Sequence, residues 1–398
     1  MKPMHLPDGA IYIIDRLFSF GERADAVGGC VRDHVMNRAS GDYDITTSAT
    51  PDKVSEIFST SRIINTGIKH GTVTIVLDDG SYEVTTYRLD GEYLDNRHPT
   101  EVVFTEDLSL DLQRRDFTIN AMCYNPRDGF TDLYGGIDDI NARLIRAVGN
   151  PNERFTEDAL RIMRALRFSA VLDFMLEEKT ERAARRLKHL LCNVSRERIY
   201  TELKKLLHGA GTYRVLRDYG DILAAAVPAL SSLRLPDESL FLGAGDIARL
   251  LSIFYLSCEN PRESFVGAMY SLKTDNAIRE LGAKVLECYT ETPLATERDA
   301  LRLLASAGEE AAIEVVRLGI LLGHQTEEGM AIIRSALEKH LPYRISDLKI
   351  DGKTLIALGA KGKDIGMALS RLIEAVIEGE CQNTETELIS LAKSILAE

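Results

Sequence analysis

The sequence predicts an α+β fold: a mixed α/β N-terminal domain followed by an all-α remainder. Three observations carry this. Runs rich in Val, Ile, Thr and Tyr, which suit a pleated and half-buried surface, recur between Ala24 and Phe104 with Gly and Asp between them. After Pro151 those signals thin out, and apolar residues recur at helical spacing almost to the end. The chain has 398 residues, too many for one ordinary domain of roughly 100–200 residues.

The strand-like runs are Ala24–Val27, Asp42–Thr46, Thr72–Leu77, Tyr82–Tyr87 and Glu101–Phe104, with helical runs at Val31–Asn37 and Pro51–Ser59. Turn signals stand at Gly28-Gly29, Asp78-Asp79-Gly80, Asp90-Gly91, Asn125-Pro126 and Gly135-Gly136. In the helical part, breaks near Gly209-Ala210-Gly211, Leu235-Pro236-Asp237 and His340-Leu341-Pro342 mark sub-domain joints.

Composition narrows the class. A hydrophobic share of 45% is enough to build cores and excludes a disordered chain. No run approaches the ~20 apolar residues of a membrane span. Met1–Ala10 lacks the basic start and apolar run of a signal peptide. The six cysteines are widely spaced with no CxxC, which suggests reduced thiols in the cytoplasm. The net charge of −13 argues at face value against a polyanionic partner. The charge is uneven, however. Residues 1–150 hold 15 basic and 24 acidic side chains, residues 151–210 hold 13 and 9, and residues 211–398 hold 20 and 28. One basic block, net +4, lies between two acidic ones.

The chemical signals lie on these elements in order. Gly28 and Gly29 join a strand to a helix, where backbone N–H groups meet a phosphate closely, and Arg32 follows with a guanidinium fork. In Gly41-Asp42-Tyr43-Asp44, a strand sets Asp42 and Asp44 on one face, and paired carboxylates of this kind hold Mg²⁺ together with substrate phosphates. Glu83, on a later strand, joins them if that strand is a neighbour. Arg114 and Arg115 suit a triphosphate clamp. In EDALRIMRALRF (157–168), read as one helix, Glu157 and Asp158 sit beside Arg161, and Arg164 continues the row. A carboxylate that only accepts beside a guanidinium that only donates matches the base edge of cytosine and adenine, and mismatches uracil and guanine. Intrahelical ion pairing explains the same string without a ligand.

GGCVRD (28–33), GDYDITTSA (41–49), YEVTTYR (82–88), QRRDFTINA (113–121) and EDALRIMRALRF, in this order, resemble the class II CCA-adding tRNA nucleotidyltransferases and the related bacterial poly(A) polymerases. The resemblance is specific over residues 24–205, including Val194–Ile199, and looser beyond. It implies a polymerase-beta-like nucleotidyltransferase head at 1–148, a helical neck at 149–208, a body at 209–340 and an RNA-binding tail at 341–398. It implies that Asp42 and Asp44 bind Mg²⁺, with Glu83 a further catalytic acid. Gly28, Gly29, Arg32 and Arg115 then contact triphosphate and sugar. Asp158 and Arg161 pair with the incoming base, with Arg164 and Arg167 in the same pocket. The expected partners are tRNA, CTP and ATP; a monomer and a homodimer are both compatible with the sequence. The interval Arg88–Asp111, with Gly91 and Arg97, fills the place of a flexible loop that members adding only CC lack, so full CCA addition is expected. Addition of A alone and poly(A) synthesis are the alternatives within the family. A non-catalytic RNA-binding scaffold and a small-molecule nucleotidyltransferase are the alternatives outside it.

Overall fold

The computed structural model describes residues 2–65, 67–90 and 102–397. These divide into two compact units, residues 1–228 and 229–398.

The first unit opens with α1 (Asp8–Ser19), β1 (Ala24–Val27), α2 (Gly29–Val35), β2 (Asp44–Thr47), α3 (Pro51–Ile57), β3 (Arg62–Ile64), β4 (Thr72–Leu77) and β5 (Gly80–Thr86). β6 (Arg88–Asp90), β7 (Val102–Phe104), α4 (Leu108–Gln113), β8 (Met122–Asn125), β9 (Gly129–Asp132) and α5 (Gly136–Asn141) follow. Seven strands form one sheet in the order β3-β4-β5-β2-β1-β8-β9, antiparallel except for the β2–β5 pair.

β1 lies between β2 and β8 and is buried throughout, as its Ala24, Ala26 and Val27 anticipate. α1 packs on β1 and β5, and α3 on β4. Gly9, Ala10, Ile13, Ile14 and Leu17 are the buried residues of α1, spaced for one helix face. On the other face Val27, Tyr87, Leu108, Leu112 and Cys123 form a cluster that seats α4. Each fully buried large aliphatic side chain contributes about 1.5–3 kcal/mol.

Several expectations are corrected here. β2 begins at Asp44, so Asp42 precedes the strand rather than lying within it. β8 and β9 carry no strong alternating pattern, because β8 is buried on both faces. The interval Arg88–Asp111 is not loop throughout: β6 pairs with β7, and Leu108–Gln113 is helical. Its middle, residues 91–101 with Gly91 and Arg97, and the expected strand start at Glu101 lie outside the described residues.

The rest of the first unit is helical apart from β10 (Leu144–Ile145) and β11 (Met175–Leu176), which pair in parallel. Its helices are α6 (Pro151–Glu157), α7 (Leu160–Leu172), α8 (Glu178–Leu187), α9 (Arg196–Leu207), α10 (Thr212–Asp218) and α11 (Gly220–Ala226).

The second unit contains only helices among its described residues, α12 (Glu238–Gly243) to α21 (Glu385–Ala397). Phe254 and Phe265 meet edge to face at 5.3 Å in one part of it, and Leu304, Val316, Ile333, Leu355, Leu372 and Leu388 fill another. All six cysteines are free. Among the described residues no helix is long and apolar enough to cross a membrane.

Candidate active site

The site grows from the end of β1. Gly28 turns the chain into α2 at φ 77°, a left-handed conformation that costs an L side chain strain. Its N–H donates to the Met122 carbonyl at 3.1 Å. Arg32, one turn on, donates to Asp33 at 2.9 Å and to Asn120 Oδ1 at 2.8 Å, and its guanidinium stands 5.4 Å from the centre of the Phe168 ring. It is therefore held before any ligand arrives.

The carboxylates come from two adjoining strands. β2 and β5 pair Ile45 with Val84, and one more step of that register sets Asp44 beside Glu83. Asp44 lines the cleft with exposed surface, although its carboxyl is partly desolvated. Burial and the like charges of Glu83 and Asp42 push its carboxyl above the usual range, with Arg115 working against them. The same burial, with Asp44 nearby, pushes the Cys30 thiol up to about 11, so it is neutral and a poor nucleophile. Among the described residues no three His, Cys, Asp or Glu side chains form a ready-made metal cluster. The donor set nevertheless fits a divalent cation: two neighbouring carboxylates that repel each other, with room for waters and phosphate oxygens as the other ligands.

A guanidinium wall faces them. Asp111, fully buried in α4, accepts from Arg114 at 2.7 Å and from Arg115 at 3.1 Å. Asp116 accepts from the Phe117 N–H, Asn120 and Arg164. Burial would raise the Asp116 carboxyl, but Arg164 outweighs it and holds the group below the usual range. Asn120 thus links Asp116 to Arg32.

Helices α6 and α7 complete the cleft and correct one expectation. Residues 157–168 are not one helix. α6 ends at Glu157, Asp158 is extended (φ −133°, ψ 102°), and α7 starts at Leu160. The cause is local: Asp158 Oδ1 accepts from the Leu160 N–H at 3.0 Å, a side-chain bond that competes with helix continuation. Its Oδ2 accepts from Arg198 of α9 at 2.8 Å. Glu157, not Asp158, is the ion-pair partner of Arg161, at 2.7 Å. Arg161 also donates to the Arg114 carbonyl at 3.0 Å. Arg167 lies 3.8 Å from the Phe168 ring centre and meets Glu202 at 2.7 Å, in contact without hydrogen-bond geometry. Burial lowers the Arg167 pKa, and Glu202 opposes that.

The result is a cleft of about 460 Å³. Of the residues singled out from sequence, Gly28, Gly29, Arg32, Asp44, Arg115, Asp158, Arg161, Arg164 and Arg167 line it. Asp42 and Glu83 do not. Arg114, the other half of the expected clamp, lines it as well, and so do Asp116, Asn120, Leu160, Phe168 and Arg198. Most of these stand inside the quoted strings; what the strings do not reveal is which carboxylate holds which arginine. Seven guanidiniums around a space of nucleotide size suit a polyanion, and strand carboxylates at its edge suit a metal.

A mixed-sheet head with this cleft is a nucleotidyltransferase. Residues 25–146 match the family model of the poly A polymerase head domain. Residues 173–232 match that of a probable RNA and SrmB-binding site of polymerase A, and residues 248–392 that of tRNA nucleotidyltransferase domain 2. The CCA-adding enzyme of Bacillus velezensis is 37% identical over 393 residues, covering 95% of this chain and 96% of that protein. That of Enterococcus faecalis is 36% identical over 397 residues, covering 96% and 94%. The crystal structure of the Bacillus stearothermophilus CCA-adding enzyme in complex with CTP superposes with a TM-score of 0.80 at 29% identity, covering 99% of this chain and 98% of that one. The chain belongs to the family of CCA-adding tRNA nucleotidyltransferases.

Proposed function

We propose that this protein adds C, C and A in turn to the 3′ end of tRNA, without a nucleic-acid template, taking CTP twice and ATP once and releasing pyrophosphate each time. The observation that carries this is the single cleft in which Asp158 and Arg161 face the phosphate-binding arginines and Asp44.

Arg32 and Arg115 bind the triphosphate, with Gly28 and Gly29 giving close backbone approach. Asp158 and Arg161 read the base. Asp158 Oδ1 accepts from the Leu160 N–H and Oδ2 from Arg198, which leaves each oxygen a further lone pair for an exocyclic amine. Arg161 offers the donor that the ring nitrogen of cytosine or adenine accepts. Uracil and guanine put a carbonyl against the carboxylate, and a buried mismatch of that kind is rejected strongly. Arg164 and Arg167 complete the pocket wall. The tRNA 3′-hydroxyl attacks the α-phosphate; the new P–O ester forms as the α–β anhydride breaks.

Asp44, with Asp42 and Glu83, would hold Mg²⁺, which when bound lowers the pKa of the attacking hydroxyl and stabilises the leaving charge. A head at 1–148 and a neck at 149–208 then supply chemistry and base choice. A body at 209–340 and a tail at 341–398 hold the upper half of the tRNA by shape and phosphate contacts. The bacterial relatives support a cytoplasmic site of action.

The test is incubation with tRNA ending at the discriminator base, with CTP and ATP separately and together, followed by sequencing of the 3′ ends. CC with CTP alone and CCA with both are expected. Failure to use CTP would favour addition of A alone, and a long A tail would favour poly(A) synthesis.

A further inference from the structure

Asp111 is absent from the roles given above, yet it is the most enclosed carboxylate near the cleft, with no exposed surface. Both of its oxygens are used. Oδ1 accepts the fork of Arg114, from Nε at 3.0 Å and Nη2 at 2.7 Å. Oδ2 accepts from Arg115 Nη2 at 3.1 Å and from the Thr46 hydroxyl at 3.2 Å. Thr46 stands on β2, two residues after Asp44. One carboxylate therefore ties the strand that carries Asp44 to both arginines of the clamp.

The geometry decides what this does. Asp111 is three and four residues before Arg114 and Arg115, so its helix holds it within reach of both side chains. Arg115 is aimed at the Gly28 turn: a side chain on Gly28 would meet its Nη1 at 3.4 Å. Its Nε is buried with no hydrogen-bond partner. The Arg114 carbonyl accepts from Arg161, a main-chain contact that does not run through the Asp111 carboxylate. Burial would raise the Asp111 carboxyl, but Arg115 and Arg114 outweigh it and keep it ionised. A long guanidinium side chain loses rotamer freedom when a phosphate orders it, and the tether removes most of that cost before binding.

We propose that Asp111 is a positioning residue for nucleotidyl transfer: through Arg115 and Arg114 it sets the triphosphate in register with the Asp44 strand. This rests on the function proposed above and adds a residue to it. Because it acts on the phosphates, it serves CTP and ATP alike and takes no part in choosing between them.

The test is Asp111→Asn in the full chain. Asn keeps the shape but turns an N–H toward a guanidinium, donor against donor. Inorganic tripolyphosphate, which carries no base, is the probe, used as a competitive inhibitor of CTP incorporation into tRNA. Its inhibition constant and the KM for CTP and for ATP should all rise by about tenfold or more, by a common factor, with the preference for CTP over UTP unchanged. Thr46→Val, which removes the hydroxyl's bonds to Asp111 and to the Thr85 carbonyl but leaves both arginine links, serves as a second variant if Asp111→Asn does not fold; it should shift the same constants in the same direction by a smaller factor. A variant that leaves tripolyphosphate inhibition at the wild-type value overturns the proposal, as does a KM change for only one of the two nucleotides. A wild-type protein that neither incorporates CMP nor binds tripolyphosphate overturns the underlying function instead.

Discussion

Arg161→Lys separates base selection from support. In the structure the Arg161 guanidinium donates to three oxygens: Glu157 Oε2 at 2.7 Å, the Arg154 carbonyl at 3.2 Å and the Arg114 carbonyl at 3.0 Å. A lysine keeps the charge but not the planar fork, and its single nitrogen cannot span acceptors on α6 and on the segment after α4. Losing two of these bonds at about 1.5 kcal/mol each costs the folded protein about 3 kcal/mol, and losing one charge-assisted bond to the base, about 1.5–3 kcal/mol, costs CMP addition about tenfold to a hundredfold in kcat/KM. The loss should not fall evenly across nucleotides. In the proposed role, the guanidinium would meet the ring-nitrogen acceptor of cytosine and oppose the ring N–H of uracil, donor against donor. Removing it costs CTP a bond and relieves UTP of a clash, so the CTP-to-UTP preference should fall by about tenfold or more. The assay is a single-addition competition between CTP and UTP on tRNA ending at the discriminator base. If kcat/KM drops while the preference holds, Arg161 only supports the α6–α7 junction and the base-reading role is wrong.

Further outcomes follow from other contacts. Asp44→Asn should cut nucleotide incorporation by at least about a hundredfold, while thermal melting stays level or rises, because repulsion from Glu83 and Asp42 is relieved. Asp116→Asn breaks the buried bond to Arg164, which is about one-third exposed, and should cost about 2 kcal/mol in urea unfolding at pH 7. The folded Asp116 carboxyl is held below its unfolded value, so its contribution is present above the unfolded pKa of about 3.9 and lost as pH falls through the folded value. The gap between wild type and variant should therefore narrow below about pH 4. Gly28→Ala places an L side chain at φ 77° and ψ −123°, outside the left-handed helical well, without a severe clash, so it should cost about 1–3 kcal/mol of stability, read from the urea midpoint.

How far the sequence carries the structure depends on where the signal is local. Thr72–Leu77 alternates visibly, and Ala24–Val27 ends at a glycine pair, so both strands are found at their observed bounds. β8 escapes because a strand buried on both faces has no period-two pattern. The helical reading of residues 157–168 fails at one residue, since helical spacing does not register that an aspartate can bond the N–H two positions on. The neighbourhood of Asp44 and Glu83, 39 residues apart, depends on the parallel pairing of β2 with β5. No spacing rule contains that pairing. The same holds for Arg198, whose string is legible but whose contact with Asp158 needs the fold.

The charge distribution also resolves. The basic block of residues 151–210 supplies Arg161, Arg164, Arg167 and Arg198 to the cleft, and the acidic N-terminal part supplies Asp44 and Asp116. The net acidity of the chain therefore does not oppose a polyanionic ligand at this site.

The central claim is that protein side chains, not a nucleic-acid template, choose the base. The most direct measurement offers all four nucleoside triphosphates at equal concentration to the wild-type protein, with one tRNA ending at the discriminator base and another ending in CC. Sequenced 3′ ends should carry CCA on the first and a single A on the second, with U and G rare on both. Frequent incorporation of U or G, or continued addition of A, would contradict it.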